Sequence, residues 1–269
     1  MSNRSMTPRG SLFVCLLFVI LMVTGAYALQ FSIPILDETA ENEQPEGPWD
    51  QFEFVFARLA FSFPDLRLNQ GHTWDVDWPK AERQFLLGVL RWTNLQARRQ
   101  EQVLNSLDAK LVDFPFLYAV EVGYMTLSDQ EAASLREYLL RGGMLVVDDF
   151  HGTKEWEAFE RQMNKVFPDR KIHDVEISDP IFHCFFDINE KMQVPGLQYL
   201  YSGRKYEQDG ITPHYRAIYD DDGRIMVMIN FNSDLGDAWE WADLPEYSEI
   251  YTSYAYRLGV NYIIYAMTH

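Results

Sequence analysis

The chain has 269 residues, 47% hydrophobic and 15% aromatic, which is enough apolar material for one full core and too much for a disordered protein. Its formal net charge is -17, with Lys+Arg 23 against Asp+Glu 40. Such a balance repels phosphate backbones and anionic headgroups, no basic stripe interrupts it, and nucleic acid is excluded as a partner.

Arg4 and Arg9 precede SLFVCLLFVILMVTGAYA, whose core from Leu12 to Val23 has the length of a signal-peptide h-region. Ala26-Tyr27-Ala28 supplies an A-x-A cleavage pattern. We expect a signal peptide over residues 1–28, a cut after Ala28, and an exported protein, periplasmic or extracellular. The alternative is an uncleaved inner-membrane anchor with the domain outside the cytoplasm, because no charge falls between Arg9 and Asp37. Only in that form would the membrane be a partner. Cys15 belongs to this segment, so Cys184 has no intramolecular partner and no disulfide framework is expected. Residues 29–50 end in DETAENEQPEGPWD, acidic, proline-bearing and without apolar periodicity, and read as a flexible linker. A single domain is expected over residues 51–269.

Within that domain strand-like and helix-like patterns alternate. FEFVFARLAF is rich in aromatic and β-branched residues and predicts a strand; after a loop, Pro79 opens a helix to about Trp92, with Ala81, Phe85, Val89 and Trp92 on one face. FPFLYAVEVG predicts a second buried strand. Ser128 stands three residues before Glu131 in a capping box, and Gly142 is placed to end the helix that follows. GMLVVDDF predicts the next strand, Thr153 the N-cap of a helix that stops at Pro168. In HYRAIYDDDGRIMVMINF two strand patterns join at Asp222-Gly223, so antiparallel strands are added, and a last helix runs from about Tyr247 to Met267. The fold class is α/β, a three-layer sandwich whose central sheet is mainly parallel, with an antiparallel hairpin near the C-terminus and a C-terminal helix.

In an open α/β sheet ligands bind outside the carboxyl ends of the parallel strands. Asp148, Asp149 and His151 occupy such a strand end, in LVVDDFHG. The loop GHTWDVDWP adds Asp75 and Asp77, and NFNSDLGDAWEWAD adds Asn230, Asn232, Asp234, Asp237 and Trp239. These loops on one edge would form an acidic, amide-rich, aromatic crevice suited to sugar hydroxyls or to a hard cation. The competing structural explanation has Asp149 capping the next helix, Asp148 paired with an arginine and the tryptophans in the core. No cofactor is expected beyond a divalent cation, for which Asp148 and Asp149 are the candidate ligands. A calcium-loop pattern at Asn230, Asn232 and Asp234 fails, since Gly236 is one place late and Trp241 stands where the bidentate glutamate belongs. No G-x-S-x-G elbow or phosphate loop occurs. His183 and Cys184 read as neighbours on a strand, facing opposite ways and unable to form a dyad.

Several blocks carry a resemblance: WDVDWPKAERQFL, LSDQEAASLREYLLRGGMLVVDDFHG, FPDRKI with DPIFHCFFDI, and DDGRIMVMINFNSDLGDAWEWAD followed by YRLGVNYIIYAMTH. Together they resemble the bacterial family called domain of unknown function 4159, from about Phe52 to His269. The resemblance implies a fold similar to the class I glutamine amidotransferase group, a flavodoxin-like sandwich, and an envelope setting; it implies no established activity. In the amidotransferase group a cysteine nucleophile follows the strand that here ends at Asp148 and Asp149, so thiolate glutamine hydrolysis is not expected. Relatives often carry histidine where this chain has Asp179.

The expectation is an exported, non-catalytic binding or assembly module of the cell envelope, holding a glycan-like or peptide-like ligand or joining an envelope protein complex. The alternative is a carboxylate- or metal-dependent hydrolase acting on an envelope glycan or peptide. Clustered aspartates facing a cavity would favour the enzyme; dispersed aspartates paired with arginines would favour the module.

Overall fold

The computed structural model describes residues 47–63 and 71–269. The signal-peptide expectation for residues 1–28 and most of the linker expectation for residues 29–50 fall outside the described residues. Among these residues no helix is long and apolar enough to cross a membrane.

Seven strands form one sheet: β1 (Ala57–Ala60), β2 (Gln102–Asn105), β3 (Phe116–Val120), β4 (Met144–Asp148), β5 (His173–Asp174), β6 (His214–Tyr219) and β7 (Ile225–Phe231). Their order is β2-β1-β3-β4-β7-β6-β5. The first five run parallel, whereas β6 pairs antiparallel with both β7 and β5. The expected α/β architecture with an antiparallel C-terminal hairpin is therefore observed. The helices are α1 (Lys80–Trp92), α2 (Asp129–Leu140), α3 (Gly152–Val166), α4 (Tyr199–Ser202), α5 (Leu235–Glu240) and α6 (Glu249–Thr268).

Side chains alternate across the sheet as the pleat demands. Ala57, Leu59, Leu117, Ala119, Leu145, Val147, Val227 and Ile229 join Leu135, Leu139, Phe159 and Met163 in one core under α2 and α3. Phe56, Phe116 and Tyr118 face the other way, where Phe56 meets Phe85 of α1 and Trp239 of α5 edge to face at 5.9 and 6.3 Å. Burying strands on both faces explains why they read as continuous apolar runs. The capping box is present: Glu131 N donates to Ser128 Oγ, and Ser128 N donates to the Glu131 carboxylate.

Four local expectations change. The N-cap of α3 is His151 rather than Thr153, whose N–H and hydroxyl both donate to Asp209. His183 and Cys184 follow a short 3-10 turn, Pro180–Phe182, and lie on no strand; proline and the Asp179 side chain, which accepts from Ile181 N, set up that turn. Strands β2 and β5 escape the apolar pattern because Gln102, His173 and Asp174 are polar residues at sheet edges. Trp49, inside the expected linker, packs on Phe114 with ring centroids 5.1 Å apart.

Candidate functional site

Where the parallel strands end, their chains turn outward through left-handed residues. Glu121 follows β3 with φ 55°, Asp149 follows β4 with φ 48°, and Asn232 follows β7 with φ 61°. Asp77, in the loop between β1 and α1, has φ 64°. Asn and Asp tolerate this region better than other residues with a Cβ, and a glutamate there is a costlier choice. Backbone bonds tie the ends together: Glu121 N donates to Asp149 O and Asp149 N donates to Ser233 O. The carboxylates of neighbouring strand ends are thereby brought to one place.

The result is a cavity of about 190 Å³ lined by His72, Val76, Asp77, Glu121, Asp149, His151, Glu155, Glu207, Asp234 and Asp237. Seven carboxylates and two imidazoles face it, and no lysine or arginine lines it among the described residues. Two triads stand out by distance: Asp77, Asp234 and Asp237, and separately Asp149, His151 and Glu207, each offering ligand atoms within 4.8 Å of one another. His151 is buried at 5% exposure, with Nε2 3.2 Å from Asp149 Oδ1 and 3.8 Å from Glu207 Oε1. Its Nδ1 and Asp77 Oδ2 are both buried and have no hydrogen-bond partner among the described residues.

Electrostatics follow from this crowding. Desolvation, then the charges of Asp237 and Asp149, push Asp77 well above the ordinary carboxylate range. Desolvation, then Asp149 and Asp237, do the same to Asp234. Burial and the neighbouring Asp149, Glu155 and Glu207 raise Glu121 to about 11. Glu207 is raised by burial against the opposing pull of His151. For His151 desolvation favours the neutral ring, and the hydrogen bond and charge of Asp149 outweigh it, so the net direction is upward. Carboxylates crowded in this way repel one another, which favours protonation of some of them or a bound cation.

The surrounding residues hold these groups in place. Arg58, fully buried, donates to Glu82 Oε1 at 2.6 Å, to Trp74 O at 2.9 Å and to Val76 O at 2.6 Å, fixing the loop that carries Asp77. Asp234 caps α5 by accepting from Asp237 N at 2.7 Å. His72 Nδ1 lies 2.6 Å from Glu121 Oε1, and its ring stacks on Tyr124 at 4.6 Å. Glu155 Oε2 accepts from His151 N at 2.5 Å, and its other oxygen accepts from Tyr124 and Gln208. Glycine is required at two close approaches: a Cβ at Gly236 would collide with Asp77 Oδ2, and one at Gly196 would stand 2.7 Å from Asp234 Oδ2.

Of the residues singled out in the sequence, Asp77, Asp149, His151, Asp234 and Asp237 meet at the cavity. The others lie elsewhere. Asp148 sits behind it, fully buried, its Oδ2 accepting from Tyr118 Oη at 2.8 Å and from Leu235 N and Gly236 N at 2.6 and 3.2 Å. Among the described residues it pairs with no arginine, and it points away because alternate residues of a strand face opposite sides. Burial raises it to about 7, against the opposing hydrogen bond from Tyr118. Asp75 is exposed and bonded to Thr73. Asn230 accepts from Tyr262 Oη, Asn232 bridges Gly152 N and Thr212 O, and Trp239 is a core residue stacked on Phe85 at 4.3 Å. Asp149 caps no helix.

His72, Glu121, Glu155 and Glu207 were missed. Glu121 ends FLYAVE as Asp149 ends LVVDD, and that parallel was the available signal; Glu155 lies one turn after His151; Glu207 sits in a loop segment without pattern. Cys184 is half-buried, 3.2 Å from Asn261 O, and burial pushes its thiol up to about 11, the opposite of an activated nucleophile. A wider groove of about 480 Å³ beside α3 and β6 is lined by Arg170, Lys171 and Arg216, the last stacked on Trp156 at 4.3 Å, and its chemistry is unlike that of the acidic cavity.

A comparison with curated proteins returns no match. The family model described as domain of unknown function DUF4159 matches residues 56–267, which span all seven strands and every helix named above but for the last residue of α6, and the chain belongs to that family.

Proposed function

We propose that this domain is a divalent-cation-dependent hydrolase of the cell envelope, with the acidic cavity as its active site and an envelope glycan or peptide as substrate. One observation carries the reading: seven carboxylates close around 190 Å³ with no lysine or arginine among the described lining residues. A module that only binds sugar or protein has no use for buried, mutually repelling carboxylates, whereas a cation site does. A bound cation would lower the pKa of a coordinated water towards neutrality and so supply a nucleophile. His72 with Glu121 forms an imidazole–carboxylate pair on the same wall, placed to take or return a proton.

The strand order β2-β1-β3-β4-β7 is that of flavodoxin-like sheets, in which ligands bind where loops after β1 and β3 diverge. Asp77 and Glu121 come from those two loops, which supports grouping the domain with flavodoxin-like and amidotransferase-like folds. The route differs from that of the amidotransferases, since Asp148 and Asp149 stand where their cysteine would be. A non-catalytic binding or assembly role remains a second reading through one feature: Trp74 and Trp78, 6.0 Å apart on the Asp77 loop, with Trp78 38% exposed, offer indole faces to a sugar. Export past the inner membrane, with residues 1–28 as the address, belongs to the same proposal.

The test is thermal melting of chelator-stripped protein with millimolar Mg²⁺, Mn²⁺, Ca²⁺ or Zn²⁺, followed by hydrolysis of ester, glycoside and peptidoglycan substrates with the ion that stabilises most. Stabilisation and turnover are expected, with stabilisation reduced and turnover lost in Asp149→Asn. No shift with any of the four ions would end the reading.

A further inference from the structure

We propose that the cavity holds two cations at chemically distinct positions, a hard ion among Asp77, Asp234 and Asp237 and a transition-metal ion among Asp149, His151 and Glu207. This deepens the proposed hydrolase and rests on it.

The donor sets differ in kind. The first triad offers only carboxylate oxygens, the ligands of Mg²⁺, Ca²⁺ and Mn²⁺. The second replaces one oxygen by an imidazole nitrogen, which favours Mn²⁺, Fe²⁺ or Zn²⁺ and disfavours Ca²⁺. Spacing supports coordination at the second: ligands at about 2.1 Å from one ion stand roughly 3.0–3.4 Å apart at octahedral or tetrahedral angles. His151 Nε2 lies 3.2 Å from Asp149 Oδ1 and 3.8 Å from Glu207 Oε1, so a small closing movement completes the set.

Independent of the acidic cluster, one buried polar atom at the cavity has no protein partner among the described residues, Asp77 Oδ2 of the first triad. His151 is more than nine-tenths buried, with Nε2 turned to Asp149 and Glu207. The space beside Asp77 Oδ2 and Asp234 Oδ2 is kept open by glycines at 236 and 196. The Asp149 carboxylate lines the same cavity as Asp77, Asp234 and Glu207. Two ions in one 190 Å³ cavity would share that charge, the arrangement by which paired metals clamp the attacking and leaving oxygens of a hydrolysed bond.

Chelator-stripped full domain is dialysed to equilibrium against Mn²⁺ or Ca²⁺ and the bound metal counted by mass spectrometry. We expect two Mn²⁺ and one Ca²⁺ per chain. His151→Gln should keep the Ca²⁺ and lose one Mn²⁺; Asp237→Asn should lose the Ca²⁺ and keep one Mn²⁺, circular dichroism verifying the fold of each. Because the wild-type ratio alone decides, a misfolded variant leaves the test standing. One Mn²⁺ per chain, or equal numbers of both ions, overturns the two-position proposal while leaving the hydrolase reading intact. No bound metal overturns both.

Discussion

Replacing Arg58 by alanine separates the stability of the domain from the assembly of its cavity. Its guanidinium is fully buried with Glu82, and it also donates to the carbonyls of Trp74 and Val76, on the loop that presents Asp77. Removing one partner of a buried ion pair costs about 3–5 kcal/mol, because the other charge is stranded. The two carbonyls add less, since the Trp74 and Val76 loop is partly exposed and can turn to water. At about 2–4 °C per kcal/mol for a domain of this size, the melting temperature of Arg58→Ala should fall by roughly 6–20 °C. The double variant Arg58→Met with Glu82→Leu removes both charges and should recover most of that loss, since apolar replacements of buried pairs are often neutral. The loop stays untethered, so cation-induced stabilisation should remain well below wild type in both. Thermal and urea unfolding followed by circular dichroism, with and without Mn²⁺, together measure each quantity. An Arg58→Ala loss under about 1 kcal/mol, or a double variant with the full wild-type response to Mn²⁺, would refute the assigned role.

Four further outcomes are expected. Chelated protein should lose stability as pH rises from 4 to 7: the unfolded chain releases carboxyl protons near pH 4 that the folded chain keeps on Asp77, Glu121, Asp148 and Asp234, and for Asp148, raised from 3.8 to about 7, the contribution is on the order of 4 kcal/mol. Asp169, held down to about 2 by Arg136, acts in the opposite sense but is already ionised in both states above pH 5, so a flat or rising curve for the chelated domain would sink the account. Asp149→Asn should raise the melting temperature of chelated protein by a few °C, weaken the response to Mn²⁺ and spare that to Ca²⁺, because asparagine accepts the left-handed backbone and removes a charge from the second triad; scanning calorimetry reads all three. Gly236→Ala should weaken Ca²⁺ uptake at least tenfold in titration calorimetry, as the added methyl occupies the place of Asp77 Oδ2. Cys184→Ala should retain hydrolysis and metal content, and the wild-type thiol should alkylate slowly at pH 8.

The alternation of apolar runs with capped helices made the sheet and its helices legible, because buried parallel strands and the Ser128–Glu131 box write themselves into neighbouring residues. Edge strands do not, and β2 with β5 went unseen for that reason. At the cavity, aspartates next to an apolar run were visible as misfits, so Asp149, His151, Asp77, Asp234 and Asp237 were found. Which of two adjacent carboxylates faces outward depends on the last turn of the strand, and this separated Asp149 from Asp148. Glu207 arrives by a long loop whose course only the folded chain determines. Trp239 shows the reverse error, an aromatic beside polar residues that belongs to the core against Phe85 and Phe56.

The triads join residues that stand far apart along the chain, with Asp77 before α1 and Asp237 after β7. An unfolded chain offers no preformed set of ligands, and the loops between these carboxylates must close before any pair is in place. Parallel pairing of β1, β3, β4 and β7 is itself non-local, so the cavity is completed late in folding. Interactions absent from the folding transition state act on the unfolding rate alone. An ion held here would not guide the chain to its structure; it would lock the finished one, lengthening native lifetime about 100-fold at a concentration 100 times its dissociation constant while leaving the folding rate unchanged.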